Sequence, residues 1–89
     1  MNETTMLEML KVDLGISTNA YDQRLAQYLT SARTYIEREG IIIDDEKVSD
    51  MNLVVMYASW LWSKRDKNDA MPRMLRWNLN NRLFDEKVQ

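Results

Sequence analysis

Residues Ser49 to Lys64, SDMNLVVMYASWLWSK, leave this chain few choices of fold. Met51, Leu53, Val54, Val55, Met56, Tyr57, Ala58, Trp60, Leu61 and Trp62 make the run too continuously apolar for a surface helix and too long for an ordinary strand. It is therefore predicted to be a helix. On its wheel Asn52, Ser59 and Ser63 line up with Met56 as a narrow, weakly polar strip. Val54, Tyr57, Ala58 and Leu61 look the other way, with the two tryptophans beside them. Such a helix must be covered on nearly every side, by the rest of its own fold or by another subunit.

The flanking segments supply the cover. Thr4 to Leu14 reads as a short first helix, capped by Thr4 or Thr5 with Glu8 in the capping-box position. Met6, Leu7, Leu10 and Leu14 form its stripe, Gly15 is a left-handed stop, and Ile16 packs back on the helix end. Ser17, Thr18 or Asn19 then caps a longer helix reaching about Glu39. Its apolar positions Tyr21, Leu25, Tyr28, Leu29, Ala32, Tyr35 and Ile36 recur at steps of three and four. This amphipathic face is expected to lie against the Ser49 to Lys64 helix. Gly40 ends the helix, and Ile41, Ile42 and Ile43 form an extended packed segment too short to be helical. Asp44, Asp45 and Glu46 make an exposed turn, with Ser49 or Asp50 capping the central helix.

Beyond Lys64, residues Arg65 to Asp69 form a solvated charged loop. Asp69 is placed to cap a last helix from Pro72 to about Phe84, with Pro72 in its first turn. Met71, Leu75, Leu79 and Leu83 fall on one side of it, with Met74, Trp77 and Phe84 beside them, and Asp85 to Gln89 read as a frayed tail. The whole is expected to be all-α: one domain over residues 1–89, a compact bundle of about four helices with short loops around one central apolar helix.

Chemistry is scarce in these residues. With no cysteine and no histidine, the chain lacks a thiolate nucleophile and the commonest metal ligand and general base. Asp44, Asp45, Glu46 and Asp50 are the one dense carboxylate group, and they lack the ligand spacing and glycine of a helix-loop-helix calcium site. Two glycines do not build a phosphate-cradling loop. No catalytic, cofactor-binding or metal-binding residues are assigned, no cofactor is expected, and the chain is expected not to be an enzyme. Its longest apolar run falls short of the roughly 20 residues that cross a bilayer, and no charged-then-apolar leader stands at its start. A soluble protein without membrane contact is the expectation.

The residues instead point to association. Three tryptophans and four tyrosines are a heavy aromatic load for so small a core, and rings of this kind finish at interfaces. Formal charge is only −2, yet Asp44, Asp45, Glu46 and Asp50 make the middle acidic while Lys64, Arg65, Lys67, Arg73 and Arg76 make the next segment basic. One subunit's acidic edge could steer toward another's basic edge, and two solvated loops would give the same pattern. The candidate interface residues are Tyr28, Tyr35, Asp44, Asp45, Lys67, Arg73, Arg76 and Trp77. Arg73, Arg76 and Arg82 would allow a helix-turn-helix reading, but Met74, Leu75 and Trp77 leave little polar face to enter a groove.

The order of features resembles the head-tail connector, or adaptor, proteins of long-tailed phages and prophages. It runs through MLEMLKVDLGI (Met6 to Ile16), YLTSARTYIEREG (Tyr28 to Gly40), VVMYASWLWSKRDKND (Val54 to Asp69) and PRMLRWNLNNRLF (Pro72 to Phe84). Leu10, Leu25, Ala32, Ile36, Val54, Tyr57, Ala58, Leu61, Pro72, Leu75 and Leu79 carry it. The chain departs from the family in lacking a long linker before the last helix and in ending that helix at Phe84. The resemblance implies a structural subunit that self-associates into a ring in the virion, at the head-tail junction. That ring would join portal protein to tail-completion proteins and continue the channel through which DNA passes without sequence-specific binding. In the bacterial cytoplasm such a subunit would be found during assembly or when prophage-encoded. The competing expectation is a small helical adaptor or regulatory protein that binds one protein partner through its last helix.

Overall fold

The computed structural model describes residues 3–88. Four helices follow one another: α1 (Glu3–Leu14), α2 (Asp22–Arg38), α3 (Val48–Lys64) and α4 (Arg73–Lys87), with no strand among the described residues. Helix α3 is the hub. It meets α1, α2 and α4 in turn, and α2 and α3 share the most extensive of these packings. Met51, Leu53, Val54, Val55, Tyr57, Ala58 and Leu61 of α3 are buried, so the apolar run is enclosed by its own chain as its composition requires.

The other helices contribute one face each. Leu25, Leu29, Ala32 and Ile36 of α2 are buried at steps of three and four, Met6 and Leu10 of α1 lie beside them, and Leu75 and Leu79 of α4 close the remaining side. The weak polar strip of α3 behaves as its residues suggest: Asn52 and Ser63 are exposed, and Met56 and Ser59 half-buried.

Two glycines set the chain reversals. Gly15 has φ of +70° and closes α1 in a Schellman pattern, its N–H donating to Val12 O (3.2 Å) and Ile16 N–H to Lys11 O (2.9 Å). Gly40, with φ of +104°, ends α2 where an added Cβ would lie 3.4 Å from Leu83 Cδ1. The isoleucine segment that follows is extended, with Ile41 and Ile43 buried and Ile42 turned out.

The helix starts differ from expectation. Helix α1 already includes Thr4 and Thr5, so neither caps it. Helix α2 begins at Asp22 behind Tyr21, which offers no capping oxygen. Thr18 Oγ1 and Asn19 Oδ1 are instead used in the preceding turn, accepting from Ala20 N–H (3.2 Å) and Lys11 Nζ (2.9 Å). Lys47 precedes α3 without a side-chain cap, and Pro72 stands just before α4 rather than in its first turn, with no cap from Asp69. Helix α4 also runs on through Asp85, Glu86 and Lys87, where a frayed tail was expected; Gln89 of that tail lies outside the described residues. The extension has a tertiary cause, since Glu86 is bound by the isoleucine segment.

Candidate functional site

The position of α4 is fixed by a polar clamp at one end of the bundle. Asp50, in the first turn of α3, is 1% exposed, and its carboxylate accepts from Arg82 Nε (2.8 Å) and Nη2 (3.2 Å) and from the Asp44 N–H (2.9 Å). Arg82 Nη2 also donates to the Ile42 carbonyl (2.8 Å), while its Nη1 lies 3.1 Å from Glu86 Oε1. The Ile42 N–H donates to that same Glu86 oxygen (3.1 Å). Both backbone groups of Ile42 are thus satisfied by α4, as the accounting of polar groups in a strandless extended segment demands. Asp50 was expected as a cap; it serves as the counter-charge of Arg82 instead. That contact, with the hydrogen bond to Asp50 as its largest cause, raises the Arg82 pKa above the ordinary guanidinium value.

Fastened in this way, α4 presents a second apolar face to solvent. Met74 is 60% exposed, Trp77 62%, Phe84 65% and Val88 65%. At helical spacing these four share one side, with Asn81 in the gap between Trp77 and Phe84. The buried Leu75 and Leu79 point the opposite way. The expectation that Met74, Trp77 and Phe84 stand beside the core stripe is corrected here: they face away from the core.

The aromatic side chains form two clusters along α2 and α3. Tyr21 and Tyr28 each meet the Trp62 ring edge-on at 5.7 Å, Arg24 lies over Tyr28 and Arg65 over Trp62 at 3.9 Å. Tyr35 stacks on Tyr57 at 5.9 Å, Tyr57 meets Trp60 edge-on, and Lys64 lies 4.4 Å over Trp60. Burial raises the pKa of the Tyr57 hydroxyl. The expected interface rings Tyr28 and Tyr35 are therefore engaged within the chain, Tyr28 half-buried and Tyr35 still exposed on one side.

The charged candidates divide in the same way. Asp45 is held by Arg33 Nη1 at 2.7 Å, and this hydrogen bond lowers its carboxyl below the usual range. Arg76 pairs with both oxygens of Glu39, at 2.8 and 3.3 Å. Asp44 is half-buried and builds its own turn, accepting from the Glu46 N–H at 2.9 Å. Lys67 and Arg73 remain exposed, with no side-chain partner among the described residues. The proposed acidic and basic edges are thus largely spent on contacts inside the subunit. The helix-turn-helix reading loses two of its three cations in the same way, because Arg76 and Arg82 are both committed, and only Arg73 is left.

Of the eight candidate residues, the structure leaves Trp77, Arg73 and Lys67 free at the surface and brings none of the acidic candidates next to them. Sequence reasoning missed Met74, Phe84 and Val88 as a joint surface with Trp77, and missed Asp50, Arg82 and Glu86 as the clamp. Spacing held a signal for the surface, since residues 74, 77, 81, 84 and 88 follow steps of three and four; ending the helix at Phe84 hid it. No family model matches the chain, and no curated protein or solved structure matches it. No helix among the described residues is long and apolar enough to cross a membrane.

Proposed function

We propose that this chain is a non-enzymatic structural subunit of a phage or prophage head-tail connector, assembling as a ring between portal and tail-completion proteins and continuing the DNA channel. The observation that carries the reading is the outward face of α4. A proline-led last helix is locked to the bundle by Asp50 and Arg82 while holding Met74, Trp77, Phe84 and Val88 in water. Large apolar side chains that a fold goes to the trouble of positioning but does not cover are characteristic of protein-protein contacts. The order of helices, short, long amphipathic, enclosed apolar and proline-led, agrees with the resemblance stated above. A weakly acidic subunit also suits a channel that should not grip phosphate. Such a subunit would reside at the head-tail junction of the virion, and in the bacterial cytoplasm before assembly.

The same face supports a second reading, an adaptor that binds one protein partner through α4. Native mass measured over a concentration series, on the chain alone and with a portal ring, separates the two. A closed ring of many copies, lost on reversing Arg73 and Lys67 to Glu, supports the connector. A species that never exceeds two copies under either condition contradicts it.

A further inference from the structure

We propose that the outward face of α4 is a two-helix seam and that its occupant is α4 of a second copy of this chain, parallel and in register. Residues 74, 77, 81, 84 and 88 follow the alternating three-and-four step of a heptad seam, with Met74, Asn81 and Val88 at a and Trp77 and Phe84 at d. All five are exposed in the subunit. The core-facing residues Leu75 and Leu79 lie on the opposite side, so pairing through the seam requires no repacking of the fold.

Asn81 selects the partner and its direction. In a parallel pair a faces a, so two carboxamides meet side by side, and each can donate and accept. In an antiparallel pair a faces d, which would set Asn81 against an aromatic ring and bury its amide without a partner. The flanking charges argue only against the antiparallel alternative. Arg73, Asn80 and Lys87 occupy g, Asn78 and Asp85 occupy e. Parallel helices place g beside the following e of the other copy, bringing Arg73 next to Asn78, whose amide already donates to Met56 Sδ (3.6 Å), and Asn80 next to Asp85, so that no like charges meet. Antiparallel helices place g against g and would force Arg73 onto Lys87.

Trp77 and Phe84 each offer on the order of 150 Å², and Met74 and Val88 add to a strip that is smaller than the roughly 800 Å² per partner of a standard interface, so the pairing should be weak and concentration-dependent. A helix of 15 residues would be marginal as an isolated coiled coil. Here the helix is already formed and clamped through Arg82, so pairing bears no cost of helix formation. The inference does not rest on the connector reading: a contact with two-fold symmetry closes at two copies, and a ring that also contained it would hold an even number of subunits.

The cysteine-free sequence makes the test direct. Under mild oxidation Asn81→Cys should form a covalent dimer, because a-position Cβ atoms face each other across a parallel pair, and Arg76→Cys, off the seam, should not. By sedimentation the unmodified chain should dimerise with rising concentration. Phe84→Asp should weaken this by at least about 30-fold while helicity and, at a dilution where the chain is monomeric, the unfolding midpoint stay unchanged, since Phe84 is already in water in the subunit. A chain that stays monomeric at its highest soluble concentration overturns the proposal. So does an assembly that Phe84→Asp leaves intact, or an Asn81→Cys variant that does not cross-link where the unmodified chain is dimeric. A ring insensitive to Phe84→Asp would remove the seam and leave the connector reading standing; a dimer sensitive to it that never enlarges, with or without portal, would do the reverse.

Discussion

The two faces of α4 are built from similar residues and do different work. Inward, Leu75 and Leu79 are buried against α3, with Arg82 and Glu86 tying the helix to Asp50 and Ile42. Outward, Met74, Trp77, Phe84 and Val88 carry at least as much apolar surface and touch nothing that buries them. Hydrophobicity alone therefore does not decide which side of a helix becomes core. The inward face wins because it combines apolar side chains with a charge pair that satisfies the bare backbone of the isoleucine segment. The outward face offers apolar area with one asparagine in its middle.

Substitutions can break this contrast from the inside first. Arg82→Met removes the counter-charge of a carboxylate that is 1% exposed and leaves the Ile42 carbonyl without its donor, so chemical denaturation should show a loss of about 4 kcal/mol. A loss under 1 kcal/mol would mean that the clamp does not hold α4. Gly40→Ala forces a side chain into φ of +104° at 3.4 Å from Leu83 Cδ1 and should cost about 2 kcal/mol. The same denaturation measurement checks it, and no loss would show that the α2 end can shift away from α4.

Smaller effects come from groups that lie away from both faces of α4. Burial keeps the Tyr57 hydroxyl neutral beyond the usual tyrosine range. Its contribution to stability should be complete below about pH 10 and lost as pH rises through the raised folded value, and Tyr57→Phe should flatten that alkaline limb. The Arg33 guanidinium holds the Asp45 carboxyl down. Stability from that exposed pair is present above about pH 3.9 and lost as pH falls through the lower folded value, so Asp45→Asn should flatten the most acidic part of a pH–stability curve and lower stability only slightly at neutral pH. An effect of Asp45→Asn at neutral pH as large as that of Arg82→Met would erase the distinction between surface pair and clamp.

How much of this was legible in the sequence depends on the range of the interaction. The enclosure of α3 followed from Val54, Tyr57, Ala58 and Leu61 alone, and the α2 face from Leu25, Leu29, Ala32 and Ile36, because helical periodicity is a local property. Gly15 and Gly40 marked two helix ends for the same reason. Asp50 and Arg82 are 32 positions apart, and nothing local distinguishes a carboxylate that caps its own helix from one that awaits a distant guanidinium. Missing that pair also shortened α4, since Glu86 looks like part of a polar tail until its bond to the Ile42 N–H is known. With the helix ended at Phe84, its last turn was missed, and Val88, which follows directly on that turn, was not counted with Met74, Trp77 and Asn81. The charges of Asp45 and Arg76 were visible, but not that Arg33 and Glu39 would take them up inside the subunit.

The division of α4 into a face that holds the fold and a face that does not is tested most directly by one paired unfolding measurement, made at a dilution where the chain is monomeric. Leu79→Ala should lower the free energy of unfolding by about 3 kcal/mol, and Phe84→Ala, on the same helix, by no more than about 0.5 kcal/mol. Equal losses for the two variants would contradict the account, because Phe84 would then be part of the core and no free face would exist.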